Sequence, residues 1–177
     1  MVGDTITRLI SPHDKSLIPI FSDCGTTTAL VFDPGGPKMD FNISSEGCDH
    51  EAIIVPQGGA REPITMDSLL YKNIEVNIER KGLHLAMKGL DVFNFSLKKV
   101  SPNVEDLIRK SVLSSSEIDY FVFHQANRLI LESISKKLKI NTSKVPTSLK
   151  DYGNTSGATI PLTIVSNLRR ENTIIDS

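Results

Sequence analysis

Residues 121–161 read FVFHQANRLILESISKKLKINTSKVPTSLKDYGNTSGATIP, and the rest of the chain is organised around them. Tyr120, Phe121, Val122 and Phe123 form an aromatic, β-branched run that predicts a short strand leading straight into His124-Gln-Ala-Asn127. Leu129, Ile130, Ile134 and Leu138 recur at helical spacing, so residues 126–139 are expected to be a helix with its lysines outward. Gly153-Asn-Thr-Ser-Gly157 is a turn that opens a second apolar helix over residues 158–170, where Pro161 is tolerated in the first turn. A polar side chain at the carboxyl end of a buried strand, where a helix begins, stands where open α/β sheets place their ligands.

His124 and Asn154 are too far apart in sequence to share a helix face, so they meet only across a strand–helix–strand excursion. If they meet, they offer two neutral donors to one oxygen that gains negative charge. Taken singly, each residue has a plainer reading, His124 as a core histidine bonded to backbone and Asn154 as a turn former.

Outward from this stretch the pattern is mixed α/β. Residues 5–10 have weak helical character. Residues 17–21 and 26–32 read as neighbouring strands joined by Ser22-Asp-Cys-Gly25, with Pro19 pushing the first toward an edge. Asp33-Pro-Gly-Gly-Pro37 is the clearest linker. Residues 38–44, 52–55 and 83–87 read as strands, while the polar run between 57 and 81 resists assignment. Residues 89–100 and 104–112 read as helices interrupted at Pro102, and Ser114-Ser-Ser-Glu117 as a capping turn. The closing ENTII suggests the start of a further strand, and both ends of the chain read as cut from a larger fold.

His124-Gln-Ala-Asn127 together with Gly153-Asn-Thr-Ser156 resembles the signature of the 3-oxoacyl-acyl-carrier-protein synthase III family, the initiating condensing enzymes of bacterial fatty-acid synthesis. Phe21-Ser-Asp-Cys-Gly25 is similar to the family's FGDGAG segment, with departures at Ser22 and Cys24. Met87-Lys-Gly-Leu-Asp-Val-Phe93 resembles its MxGxxVF helix start, and Ile160-Pro161 its S-I-P helix. The resemblance implies a thiolase-like fold of layered αβαβα type. Residues 1–33 would be the tail of the N-terminal half, and 34–177 the C-terminal half, ending before its last strands. It also implies decarboxylative condensation of acyl-CoA with malonyl-acyl-carrier protein, with His124 and Asn154 as two members of a Cys-His-Asn triad.

The same resemblance places acyl-CoA, a substrate rather than a resident cofactor, near Lys15, Gly89, Phe93 and Asn127. Lys15 stands where the family has an arginine, and loses its bidentate fork. The acidic carrier protein would be received by Arg128, Lys136 and Lys137, with Arg128 one place earlier than the family's arginine. The nucleophile matches neither Cys24, at a glycine position, nor Cys48, in a variable loop, so the chain alone is expected to be inactive. A homodimer or a complementing N-terminal half is the expected protein partner. A specialised condensing relative and a non-catalytic carrier-binding half of a split enzyme are the alternatives.

The totals agree with an ordinary globular protein. With 177 residues, 39% hydrophobic and 23% charged, there is material for a real core. A net charge of −1 leaves no positive excess to neutralise nucleic-acid phosphates. The two cysteines match no metal spacing, and no metal is expected. No apolar run approaches membrane-spanning length and no secretory signal opens the sequence, so a cytoplasmic location is expected.

Overall fold

The structure, a computed structural model, describes residues 1–168. The end of the second helix at 169–170 and the strand expected in ENTII lie outside the described residues. Among the described residues three antiparallel pairs make up the ladders: β1 (Val2–Asp4) with β2 (Cys24–Thr26), β3 (Ile53–Ile54) with β6 (Ala86–Met87), and β4 (Lys72–Glu75) with β5 (Ile78–Arg80). A nearly unbroken helical run follows β6: α1 (Gly89–Phe95), a π turn (Ser96–Val100) and α2 (Ser101–Ser111). After it come α3 (Arg128–Leu138), α4 (Leu149–Tyr152), α5 (Thr159–Thr163) and a second π turn (Ile164–Leu168).

The core is small. Ile10, Leu17 and Leu85 are buried together, with Ile6, Phe21, Val55 and Met87 packed on them. On α3, Ile130 and Ile134 are buried as the helical spacing predicts, but Leu131 is buried in place of Leu129, which faces solvent, and the helix packs on α2 and the first π turn. Asn127 caps α3 by accepting the Ile130 N–H at 2.9 Å. Lys139 ends it in the left-handed region at φ 56.

Several local expectations are corrected. Residues 17–20 form turns and Phe21 only an isolated bridge, not a strand. Asp14 Oδ1 accepts the Ser16 N–H at 2.9 Å, and the Leu17 and Ile18 N–H groups both donate to the Asp14 carbonyl. Side-chain capture of the backbone outcompetes the ladder here, and Pro19 has no N–H to donate. Beyond Thr26 the run to residue 32 has no ladder among the described residues, with Leu30, Val31 and Phe32 all more than four-fifths exposed. Residues 38–44 and 120–123 are likewise without a ladder, although the Phe121 N–H donates to the Lys144 carbonyl at 2.8 Å. A β-rich run becomes a strand only where a partner strand lies beside it.

Pro102 does not interrupt the helix; it falls in the first turn of α2, where a missing N–H is tolerated. The backbone widens into the π turn just before it, and the Lys137 ammonium bonds the Leu97 carbonyl at 2.5 Å. The unassigned run from 57 to 81 contains the β4–β5 hairpin, whose tight turn puts Asn77 at φ 63. That hairpin is anchored by Arg80, whose Nε lies 2.5 Å from the fully buried Asp14 carboxylate.

Candidate active site

The loop carrying Asn154 is gripped from the N-terminal end of the chain. The Asn154 N–H donates to the Ile20 carbonyl at 3.0 Å, and the Ser22 N–H donates to the Asn154 carbonyl at 2.9 Å. This parallel bridge passes so close that a Cβ on Gly153 would sit 3.1 Å from the Ile20 oxygen. Gly153 also has φ 64 and ψ −156, a region open essentially to glycine alone. Farther along, the Gly157 N–H donates to the Asp4 carboxylate at 3.1 Å.

This clamp orients the Asn154 side chain, which is 6% exposed. Its Oδ1 accepts the Ser156 N–H at 2.9 Å, which fixes which end of the amide is oxygen. One Nδ2 hydrogen reaches the Ala126 carbonyl at 3.4 Å, leaving the second for the cavity that Asn154 lines. His124 lines the same cavity, of about 600 Å³, together with Phe21, His50, Met87 and Asn127. His124 and Asn154, expected to meet across the strand–helix–strand excursion, thus line one cavity.

His124 is exposed over part of its surface and packed against protein atoms over the rest. That burial holds its pKa below the ordinary value, outweighing a hydrogen bond with the Ser156 backbone that pulls the other way. Its Nδ1 lies 2.7 Å from the Thr159 hydroxyl. The lowered pKa favours the neutral imidazole, which donates from one nitrogen and accepts at the other.

A second, larger cavity of about 1270 Å³ adjoins the first, with His50, Met87 and Gly89 lining both. Ser16, Arg61, Arg80 and Lys88 line the larger one. Neither cysteine lines either cavity. The Cys48 thiol is pushed up by the adjacent Glu46 carboxylate, the reverse of what a nucleophile needs. Among the described residues no cluster of three or more His, Cys, Asp or Glu could hold a metal ion, and no helix is long and apolar enough to cross a membrane.

Residues 108–174 match the family described as 3-oxoacyl-[acyl-carrier-protein (ACP)] synthase III C terminal. Beta-ketoacyl-[acyl-carrier-protein] synthase III of Acaryochloris marina is 30% identical over 96% of this chain and 49% of its own length. The Rhodopirellula baltica protein of the same name is 32% identical over 92% of this chain and 50% of its own. A 3-oxoacyl-(acyl-carrier protein) synthase from Burkholderia xenovorans superposes with a TM-score of 0.80 at 33% identity, covering 96% of this chain and 47% of that one. A crystal structure of a 3-oxoacyl-(acyl-carrier-protein) synthase III superposes at 0.82, with 30% identity over 98% of this chain and 52% of that one. Over most of its length the chain is similar to the C-terminal portion of 3-oxoacyl-acyl-carrier-protein synthase III proteins. It spans about half the length of the curated relatives it matches. Its fold is that of these thiolase-like synthases, even though its ladders are short.

The remaining residues assigned by resemblance to the synthase III family are scattered. Gly89 and Asn127 line the cavity that holds His124 and Asn154, but Phe93 does not; Val92, Phe95 and Ser96 of the same helical run do. The Lys15 ammonium bonds the Asn77 side chain at 3.2 Å, at the tip of the β4–β5 hairpin. Arg128 is paired with Glu132 at 2.6 Å, Lys136 is exposed, and Lys137 is held at Leu97. No sequence signal singles out His50, which lines both cavities, or Thr159, which touches His124.

Proposed function

We propose that this chain is the half of a synthase III-type condensing enzyme that stabilises the enolate formed when malonyl-acyl-carrier protein loses carbon dioxide. The convergence of His124 and Asn154 on one cavity carries this reading. The malonyl thioester oxygen accepts from the imidazole and from the free Nδ2 hydrogen of Asn154. As the C–C bond to the carboxylate breaks, its electron pair moves onto the thioester carbon framework and the oxygen becomes anionic. Two fixed neutral donors in a partly dehydrated cavity favour that anion over the ground state without needing a proton transfer.

In this reading the attacked acyl group arrives from acyl-CoA and is held by a cysteine other than Cys24 and Cys48. The larger cavity, with Gly89 on its wall and Lys15 nearby, takes the CoA arm. Arg128, Lys136 and Lys137 face the acidic carrier protein. Residues 1–33 belong to one half of the duplicated fold and 34–177 to the other, with the Asp33–Gly36 turn between them. A complementing half, or a second copy, covers the exposed apolar runs, and the reaction is cytoplasmic. The accessible area supports a missing cover: it is 12538 Å², against about 8,500 Å² for a closed protein of this mass.

The absence of either cysteine from the cavities also favours a second reading, a carrier-binding half of a split enzyme that supplies no nucleophile. Carbon dioxide release from malonyl-carrier protein by the full chain separates the two. The enolate-stabilising reading predicts slow release above the buffer rate, falling by roughly 10²–10³ in H124A or N154A. Release unaffected by both substitutions overturns it.

A further inference from the structure

Behind His124 lies a ring of buried hydrogen bonds that closes on itself. The Thr159 hydroxyl lies 2.7 Å from His124 Nδ1, and the Thr159 carbonyl accepts the Thr163 hydroxyl at 2.8 Å. Thr163 Oγ1 is 2.8 Å from Ser148 Oγ, and the Ser148 N–H donates to Gln125 Oε1 at 3.1 Å. Gln125 Nε2 donates in turn to the Phe123 carbonyl at 2.9 Å, which returns the ring to the peptide beside His124. Gln125, Ser148, Thr159 and Thr163 are each at most 2% exposed.

Each hydroxyl has one hydrogen, so the donors can be assigned. The Thr163 hydrogen goes to the Thr159 carbonyl, so Ser148 must donate where these two hydroxyls meet. The Thr159 hydroxyl has a single contact among the described residues, His124 Nδ1. A buried hydroxyl that keeps its hydrogen unused is costly, so Thr159 donates and Nδ1 accepts. If Nδ1 carried the hydrogen instead, Thr159 would accept it and strand its own.

We infer that Thr159, whose backbone carbonyl this ring holds, is a positioning residue whose hydroxyl donates to Nδ1 and keeps His124 in the tautomer that carries its hydrogen on Nε2. A neutral imidazole in that form presents a donor from the nitrogen opposite Thr159, which is the form an oxyanion in the cavity needs. This role rests on the donor role proposed for His124. Within the ring, Gln125 ties the residue next to His124 to the helix that carries Thr159.

Long-range ¹H–¹⁵N correlation spectra of the uniformly ¹⁵N-labelled full chain near pH 8 test it, with the His124 signals assigned by their loss in H124Q. The wild type should show Nδ1 as the unprotonated nitrogen and Nε2 as the protonated one. T159V should lower the Nε2–H to Nδ1–H ratio by roughly fivefold, the effect of one ordinary hydrogen bond, and T159S should restore it. A wild-type ring protonated on Nδ1, or a T159V ratio equal to wild type, overturns the inference. The wild-type spectrum decides alone if T159V does not fold. The spectra do not depend on turnover: a correct tautomer without carbon dioxide release would count against the proposed function and leave the role of Thr159 standing.

Discussion

Replacing Gly153 with alanine should disturb the loop that carries Asn154. Its φ of 64 and ψ of −156 place an alanine in a region that costs about 1–3 kcal/mol to occupy. The new Cβ would also stand 3.1 Å from the Ile20 carbonyl oxygen, a contact that the parallel bridge at Asn154 must open to relieve. Weakening one hydrogen bond of that bridge adds about 1 kcal/mol, so the sum is about 2–4 kcal/mol. With a urea slope of about 2 kcal/mol per molar, the midpoint should fall by roughly 1–2 M. Gly25 is the control, because a Cβ there meets nothing within 4 Å, and G25A should stay within about 0.5 kcal/mol of wild type. Urea unfolding followed by circular dichroism gives the midpoints, and amide exchange at Ser22 reports the bridge. A G153A midpoint within about 0.25 M of wild type, with Ser22 equally protected, would refute the reasoning.

The other predictions concern the supports around the cavities. R80M leaves the Asp14 carboxylate buried without its guanidinium and should cost about 3 kcal/mol in urea unfolding. Burial alone would raise the Asp14 pKa, but the bonds from Ser16 and Arg80 outweigh it and hold the carboxyl below 3.8. The stability it contributes is therefore complete above pH 3.8 and lost as pH falls through the folded value; D14N should flatten that acid limb. Burial, then Lys81 and Arg80, hold His84 below 6.5, so its contribution is complete above pH 6.5 and is lost as pH falls through its folded value, which an NMR titration of the ring will show. K137M removes the ammonium from the Leu97 carbonyl beside the first π turn and should cost about 1 kcal/mol, measured by thermal unfolding.

The parts of the fold legible in the sequence are those set by local periodicity. The α3 stripe of Ile130, Ile134 and Leu138 needs only its own spacing to be recognised, and Asn127 at its start is an ordinary cap. Residues 26–32 and 38–44 mislead because β-branched composition cannot reveal whether a partner strand lies alongside. The turn at residues 14–18 is hidden for the opposite reason. There Asp14 and Ser16 organise the backbone through side-chain bonds, which apolar patterning does not register.

Of the candidate site, His124 and Asn154 are readable because two polar punctuation marks flank apolar runs. Their closeness is not, since it depends on Ile20 and Ser22 clamping Asn154 from more than a hundred positions away. Thr159 is invisible because one hydroxyl at the start of an apolar helix carries no signal until its neighbour is known. Phe93 stands out over Phe95 because the motif letters fall on it, whereas the helix turns Val92, Phe95 and Ser96 toward the cavity.

In the proposed function His124 and Asn154 share one oxygen of a malonyl thioester. A crystal structure of the full chain with a stable carba analogue of that thioester, its sulfur replaced by methylene so that it cannot be cleaved, tests this most directly. The carbonyl oxygen should lie roughly 3 Å from both His124 Nε2 and Asn154 Nδ2. An analogue bound with that oxygen on neither side chain, or the two side chains turned to separate cavities, would contradict the account.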